Sequence, residues 1–149
     1  MKRVKEYRTL FAAEPTSTLK ELKTSYRNLV KEWHPDKFQD DAEKLEEAEL
    51  MGRKVIDAYH FLVSIAPETK AKNLDEYNAT ITESGISDFQ HKGVLLEVTF
   101  LDGTTYEYFG VPKSVYIKMC QSDKLVRFAK RNIFNSYLYR KSKKSLQEA

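Results

Sequence analysis

The chain has 149 residues, 41% of them hydrophobic and 32% charged, with a net charge of +3, one cysteine and three histidines. That size allows one domain or two small ones. No apolar run approaches the roughly 20 residues of a membrane-spanning helix, and the lone Cys120 cannot close an intramolecular disulfide. His34, His60 and His91 are scattered without zinc-ligand spacing, so neither a disulfide scaffold nor a zinc module is expected.

The N-terminal Met-Lys-Arg-Val-Lys-Glu-Tyr-Arg is positive but has no apolar core behind it and no cleavage site, so a cytoplasmic location is expected. Val4, Tyr7, Leu10 and Phe11 then make a short helical stripe, and Glu14-Pro15-Thr16-Ser17 a turn. Leu19, Leu22, Tyr26, Leu29, Val30 and Trp33 recur at helical spacing, with Thr18 and Glu21 as a capping box. Pro35 disfavours α geometry at His34, so this helix ends at Trp33 or His34 and His34-Pro35-Asp36 opens a loop. On the opposite face Lys20, Lys23, Arg27 and Lys31 form a positive ridge running down to that loop.

After Phe38-Gln39-Asp40-Asp41 a long helix follows, with Leu45, Ala48, Met51, Val55, Ala58, Tyr59 and Leu62 on one face. Two helices with facing stripes make a small antiparallel bundle. Pro67 ends the long helix, and Ala71, Leu74 and Tyr77 suggest a short fourth one. Residues 78–84 carry little periodic signal, which places a domain boundary near residue 80 and gives domains of residues 1–80 and 81–149.

The run from Tyr26 to Lys37, with Ala58-Tyr59-His60-Phe61-Leu62 on the next helix, resembles the J-domain of DnaJ-type co-chaperones. The resemblance implies binding to a DnaK-type 70 kDa heat-shock chaperone through His34, Pro35 and Asp36 and through the basic residues Lys20, Lys23, Arg27 and Lys31, with stimulation of its ATP hydrolysis. Several positions depart from the family pattern. Asn28 and Glu32 stand where cations are usual, so the ridge is weaker, binding is expected to be weak and partner-selective, and cations at both positions should tighten it. Gly52 replaces a large apolar residue of the long helix, where Met51 could fill the gap, and the stretch between Asp36 and Gly52 is about one helical turn longer than usual. No Gly/Phe-rich linker or Cys-x-x-Cys repeat follows, as in a minimal, specialised bacterial J-protein with its own appended domain.

From Gly93 the period changes to two. Val94, Leu96, Val98 and Phe100 alternate with Leu95, Glu97, Thr99 and Leu101, predicting a strand. Asp102-Gly103 reads as a two-residue type I′ turn into a returning strand over residues 104–109, and residues 86–90 as a third strand. Pro112 opens a helix bearing Val115, Tyr116 and Met119, with Cys120 expected as a buried, inert thiol. Ser122-Asp123 caps a second short helix through Leu125, Phe128 and Ala129, stopping at Asn132. Residues 133–139 could return as a strand, and residues 140–149 are expected to fray. The fold class expected is α+β, an all-α N-terminal domain followed by an antiparallel sheet with short helices.

Leu96-Glu97-Val98-Thr99-Phe100, Asp102-Gly103, the Tyr106-Glu107-Tyr108 triplet and Val111-Pro112 resemble the KTSC domain, found at the C-terminus of some lysyl-tRNA synthetases. A Gly-containing turn usual in that family is missing over residues 123–127, which leaves the last helix open. The family's company suggests RNA. Charge agrees in direction: residues 1–75 hold 14 basic and 14 acidic residues, whereas residues 112–149 hold 10 and 2.

Tyr106 and Tyr108, if exposed, could stack bases, with Lys113, Lys118, Lys124, Arg127, Lys130, Arg131, Arg140, Lys141, Lys143 and Lys144 neutralising phosphates. Alternatively the tyrosines face the core and the charges solvate small helices, or this half docks a client or partner protein. The principal RNA candidates are Tyr106, Tyr108, Lys130, Arg131, Arg140 and Lys141. No nucleophile with a base, paired carboxylates, phosphate loop or metal-ligand set has diagnostic spacing, and His34 and Asp36, separated by a proline, are not expected to pair. The expectation is a non-enzyme without cofactor or metal that regulates a partner's ATPase. The alternative is an RNA-binding or partner-docking adaptor whose C-terminal domain is the main functional element.

Overall fold

A computed structural model describes residues 2–142. They divide into two compact units, one holding Lys2–Ala71 and one beginning at Lys72. The first is all helix and the second an antiparallel sheet with short helices, the expected α+β layout.

The first unit contains α1 (Lys2–Phe11), α2 (Leu19–Glu32), a 3₁₀ turn (Pro35–Phe38) and α3 (Ala42–Ile65). The capping box forms: the Thr18 hydroxyl accepts from the Glu21 N–H at 3.1 Å, and Glu21 Oε1 accepts from the Thr18 N–H at 3.5 Å. Helix α2 ends on Trp33 as its C-cap. Asp41 caps α3, its Oδ1 accepting from the N–H groups of Glu43 and Lys44 at 3.1 and 3.3 Å.

Leu22 of α2 is buried with Val4 and Phe11 of α1 and Ala48, Val55, Ala58, Phe61, Leu62 and Ile65 of α3. Tyr26 stacks on Tyr59 at 4.4 Å between ring centroids, and Tyr7 meets Phe61 edge-on at 5.4 Å. Each large apolar side chain buried in this way contributes about 1.5–3 kcal/mol. Gly52 leaves open space, since a Cβ there would meet nothing within 4 Å.

Helix α4 (Pro67–Glu83) begins in the first unit and ends in the second. It is longer than the short helix expected, continuing through residues 78–83. Tyr77, Thr80 and Ile81, at the three-then-four spacing of a helix face, are buried. Thr80 hides this stripe from a reading of hydrophobic periodicity because it is polar; its hydroxyl is satisfied by Asp102 Oδ2 at 3.3 Å.

The second unit adds β1 (Ile86–Lys92), β2 (Leu95–Phe100), β3 (Thr105–Phe109), α5 (Lys113–Gln121), α6 (Leu125–Asn132) and β4 (Leu138–Lys141). The sheet order is β1-β2-β3-β4, each neighbouring pair antiparallel. Leu96, Val98 and Phe100 alternate inward as expected, whereas Val94 precedes the strand and is exposed. With Tyr77, Ile81, Tyr106, Tyr108, Val111, Met119, Ala129, Ile133 and Phe134 they form one core.

Three further expectations are corrected here. The β2–β3 hairpin is not type I′, which needs positive φ at both central residues. Only Gly103 of that pair has it (φ 89°), and the Phe100 N–H donating to Thr104 O at 2.8 Å closes a three-residue loop over residues 101–103. The last strand starts at Leu138, after buried Ile133 and Phe134, and takes in Arg140 and Lys141, which the polar sequence alone places in a frayed tail. Arg140 is drawn in by the neighbouring strand: it lies opposite Glu107, with its Nε 3.2 Å from Glu107 Oε1, and both side chains are buried. Lys143 and Lys144 lie outside the described residues.

Among the described residues no helix is long and apolar enough to cross a membrane, and no group of acidic, His or Cys side chains is arranged to hold a metal ion.

Candidate functional site

The tip of the first unit is built by its proline. His34 is extended (φ −62°, ψ 129°), and Pro35, whose ring presets φ, starts the 3₁₀ turn immediately after it. The turn folds Asp36 back on His34: the Asp36 N–H donates to His34 Nδ1 at 3.2 Å, and Asp36 Oδ2 lies 3.5 Å from the same nitrogen. The expectation that these two residues do not pair is therefore corrected for the Asp36 backbone, because His34, extended as the N-cap of the turn, reaches the otherwise unpartnered N–H two residues on. With Nδ1 accepting, the neutral ring carries its hydrogen on Nε2.

Gln39 Nε2 donates to Asp36 Oδ1 at 3.3 Å, and the Lys37 N–H donates to His34 O at 3.0 Å. Trp33 and Phe38 bracket the turn, their ring centroids 6.3 Å apart. The tip is thus held by local bonds while its chemistry stays outside, the His34 and Asp36 side chains being 51% and 75% exposed. Pro35 is exposed between them, and Lys20, Lys23, Arg27 and Lys31 are all exposed along α2. Positive helix and rigid polar tip are adjacent elements of one unit, an arrangement suited to docking an acidic surface.

The second unit sorts its candidates differently. Tyr106 and Tyr108 are core residues, 3% and 0% exposed, so base stacking by them is corrected to packing. Both lie opposite inward residues of β2, Val98 and Leu96. The Tyr77 hydroxyl donates to Phe134 O at 2.6 Å, which leaves the Tyr108 hydroxyl to donate to Tyr77 at 3.0 Å. Tyr139 stacks on Tyr77 at 3.8 Å. Burial pushes the Tyr77, Tyr106, Tyr108 and Tyr139 phenols above the usual tyrosine range. Tyr77, the hub of this cluster, was missed as anything but a helix marker; no local signal distinguishes it, because its partners lie 31 and 57 residues away.

Arg140 is likewise corrected, from phosphate contact to a buried ion pair with Glu107. Lys141 is exposed and ion-paired with Glu76 at 2.8 Å; Lys130 is exposed with its Nζ 3.4 Å from Thr82 O; Arg131 is exposed on α6. Lys113, Lys118, Lys124 and Arg127 are exposed as well. Cys120 is exposed rather than buried, because its neighbour Met119 takes the inward position on α5. The Tyr116 phenol, one helical turn away, is pushed above its ordinary range by its interaction with Cys120.

Comparison with known proteins matches this division. Residues 6–72 fit the model of the DnaJ domain, and residues 83–137 that of the KTSC domain. Over 73 residues, 48% of this chain, it is 34% identical to the chaperone protein DnaJ of Mesomycoplasma hyopneumoniae (strain 232), and the match spans 19% of that protein's length. The chain carries a DnaJ domain that bears the His34-Pro35-Asp36 tip, followed by a KTSC domain built around buried tyrosines.

Proposed function

We propose that this chain is a cytoplasmic J-domain co-chaperone that binds a DnaK-type 70 kDa heat-shock chaperone and stimulates its ATP hydrolysis, acting on a partner's active site rather than through one of its own. The observation that carries this reading is the exposed, locally braced His34-Pro35-Asp36 tip at the end of a helix whose exposed face is basic. Lys20, Lys23, Arg27 and Lys31 speed encounter by long-range attraction, an effect that salt screens. Asp36, with its carboxylate outside, makes a charge-assisted contact worth about 1.5–3 kcal/mol with a partner cation. His34 orients the turn through Nδ1 and offers Nε2 outward. The KTSC domain serves as the targeting module.

A single-turnover ATPase assay of the cognate chaperone with the full chain tests this. Stimulation at micromolar levels is expected, with its loss on His34→Gln; no stimulation by the intact chain rejects the reading.

The exposure of Lys113, Lys118, Lys124, Arg127, Lys130 and Arg131 on two adjacent helices favours a second reading for the KTSC domain, as a weak binder of RNA or a similar polyanion through phosphate contacts alone. Its affinity should fall with salt by a log-log slope of about −0.7 per phosphate contact. Lys130→Gln with Arg131→Gln should flatten that slope, and an absence of RNA binding by the full chain at low salt rejects it.

A further inference from the structure

Resting on the co-chaperone reading above, we propose that a depression beside the His-Pro-Asp tip is a selectivity pocket for an arginine side chain of the partner chaperone. Glu32, Trp33, Phe38, Lys44 and Glu47 line it, with a volume of about 250 Å³. Its floor is aromatic: Trp33 closes α2 and Phe38 closes the 3₁₀ turn, their planes inclined by 32° and both rings only half-buried. Its wall holds two exposed carboxylates from different helices, Glu32 and Glu47, and one cation, Lys44, so one negative charge is in surplus.

That combination disfavours an anion and leaves a neutral apolar group facing unused charge. It suits a planar cation. A guanidinium stacks on indole or phenyl faces while forking two N–H groups onto a carboxylate, which the compact, strongly hydrated ammonium of lysine does less well. Asp36 is not among the lining residues, so this arginine is distinct from the cation that the tip contacts.

The partner surface is thereby specified in two parts, acidic along the α2 ridge and cationic at its C-terminal end. Selectivity follows, because a uniformly acidic surface is repelled at Glu32 and Glu47. The geometry also separates the two residues that depart from the usual basic pattern. Asn28 is exposed on α2 and does not line the depression, so a cation there extends the ridge; Glu32 does line it, so a cation there blocks it. A ridge that is merely weakened predicts that cations tighten binding at both positions, and it assigns nothing to Glu47, which is on α3.

The test measures affinity of the full chain for its DnaK-type partner at low salt, together with single-turnover ATPase stimulation, for Asn28→Arg, Glu32→Lys and Glu47→Lys. Asn28→Arg is expected to tighten binding about threefold, whereas Glu32→Lys and Glu47→Lys each weaken it about tenfold, with unchanged circular dichroism. If the wild-type chain stimulates the chaperone and either Glu variant binds as tightly as wild type or tighter, the arginine pocket is overturned and the co-chaperone reading stands. If the wild-type chain does not stimulate, the co-chaperone reading itself falls and the pocket with it.

Discussion

The two domains each carry a short motif rich in polar or aromatic groups, and they place it at opposite extremes of exposure. His34 and Asp36 hold most of their side-chain surface outside, braced by bonds that span two or three residues. Tyr106 and Tyr108 are sealed inside, and their ring neighbours come from α4, β2, β4 and Phe134 beyond α6. The difference teaches that residue type alone does not assign a motif to a partner or to a core. A tip that is stabilised locally can face solvent at little cost to folding, whereas a tyrosine whose hydroxyl is satisfied 31 residues away is part of what folds the domain.

The sharpest way to break this contrast is to truncate within the buried cluster. Tyr108→Ala should destabilise the KTSC domain by about 3–5 kcal/mol, the cost of removing a large buried ring, read by denaturant unfolding of the full chain; a loss below 1 kcal/mol would mean that the ring is not the core element described. Tyr77→Phe keeps the ring and removes only the hydroxyl between Tyr108 and Phe134. A smaller loss of about 1–3 kcal/mol is expected, since it leaves buried polar groups unpaired.

Alkaline pH probes the same cluster without mutation. In the folded state the Tyr77, Tyr106, Tyr108 and Tyr139 phenols ionise above their ordinary range because of burial. The unfolded chain therefore releases those protons first, and their stabilising contribution, fully present below about pH 10, declines as pH rises beyond it. Tyrosinate absorbance should lag in the folded protein and then rise together with loss of the KTSC domain's circular dichroism; simple titration of all the tyrosines near pH 10 with the fold intact contradicts the buried cluster. The smallest effect belongs to the DnaJ domain. Gly52→Ala should stabilise α3 by about 1 kcal/mol, because its methyl group enters open space, and it should leave chaperone stimulation unchanged.

Legibility in the sequence follows the same divide between local and distant causes. The end of α2, its capping box, the tip and the inward face of β2 rest on neighbours a few residues apart, and each is readable from spacing and proline chemistry. The full length of α4, the buried place of Arg140 and the role of Tyr77 depend on partners in other elements, Asp102, Glu107, Tyr108 and Phe134, so periodicity missed them. The His34–Asp36 contact was missed for another reason: sequence marks a proline break, but not that a 3₁₀ turn follows it. Cys120 was misplaced by one helical position, which is enough to exchange inside for outside.

The central claim is that the exposed motif serves a partner and the buried one serves the fold. Single-turnover ATP hydrolysis by the cognate DnaK-type chaperone, measured with wild-type chain, Asp36→Asn and Tyr108→Phe at a temperature where all three are folded, tests it most directly. The account predicts full stimulation by Tyr108→Phe and none by Asp36→Asn, whose unfolding midpoint matches wild type. Stimulation retained by Asp36→Asn would contradict it.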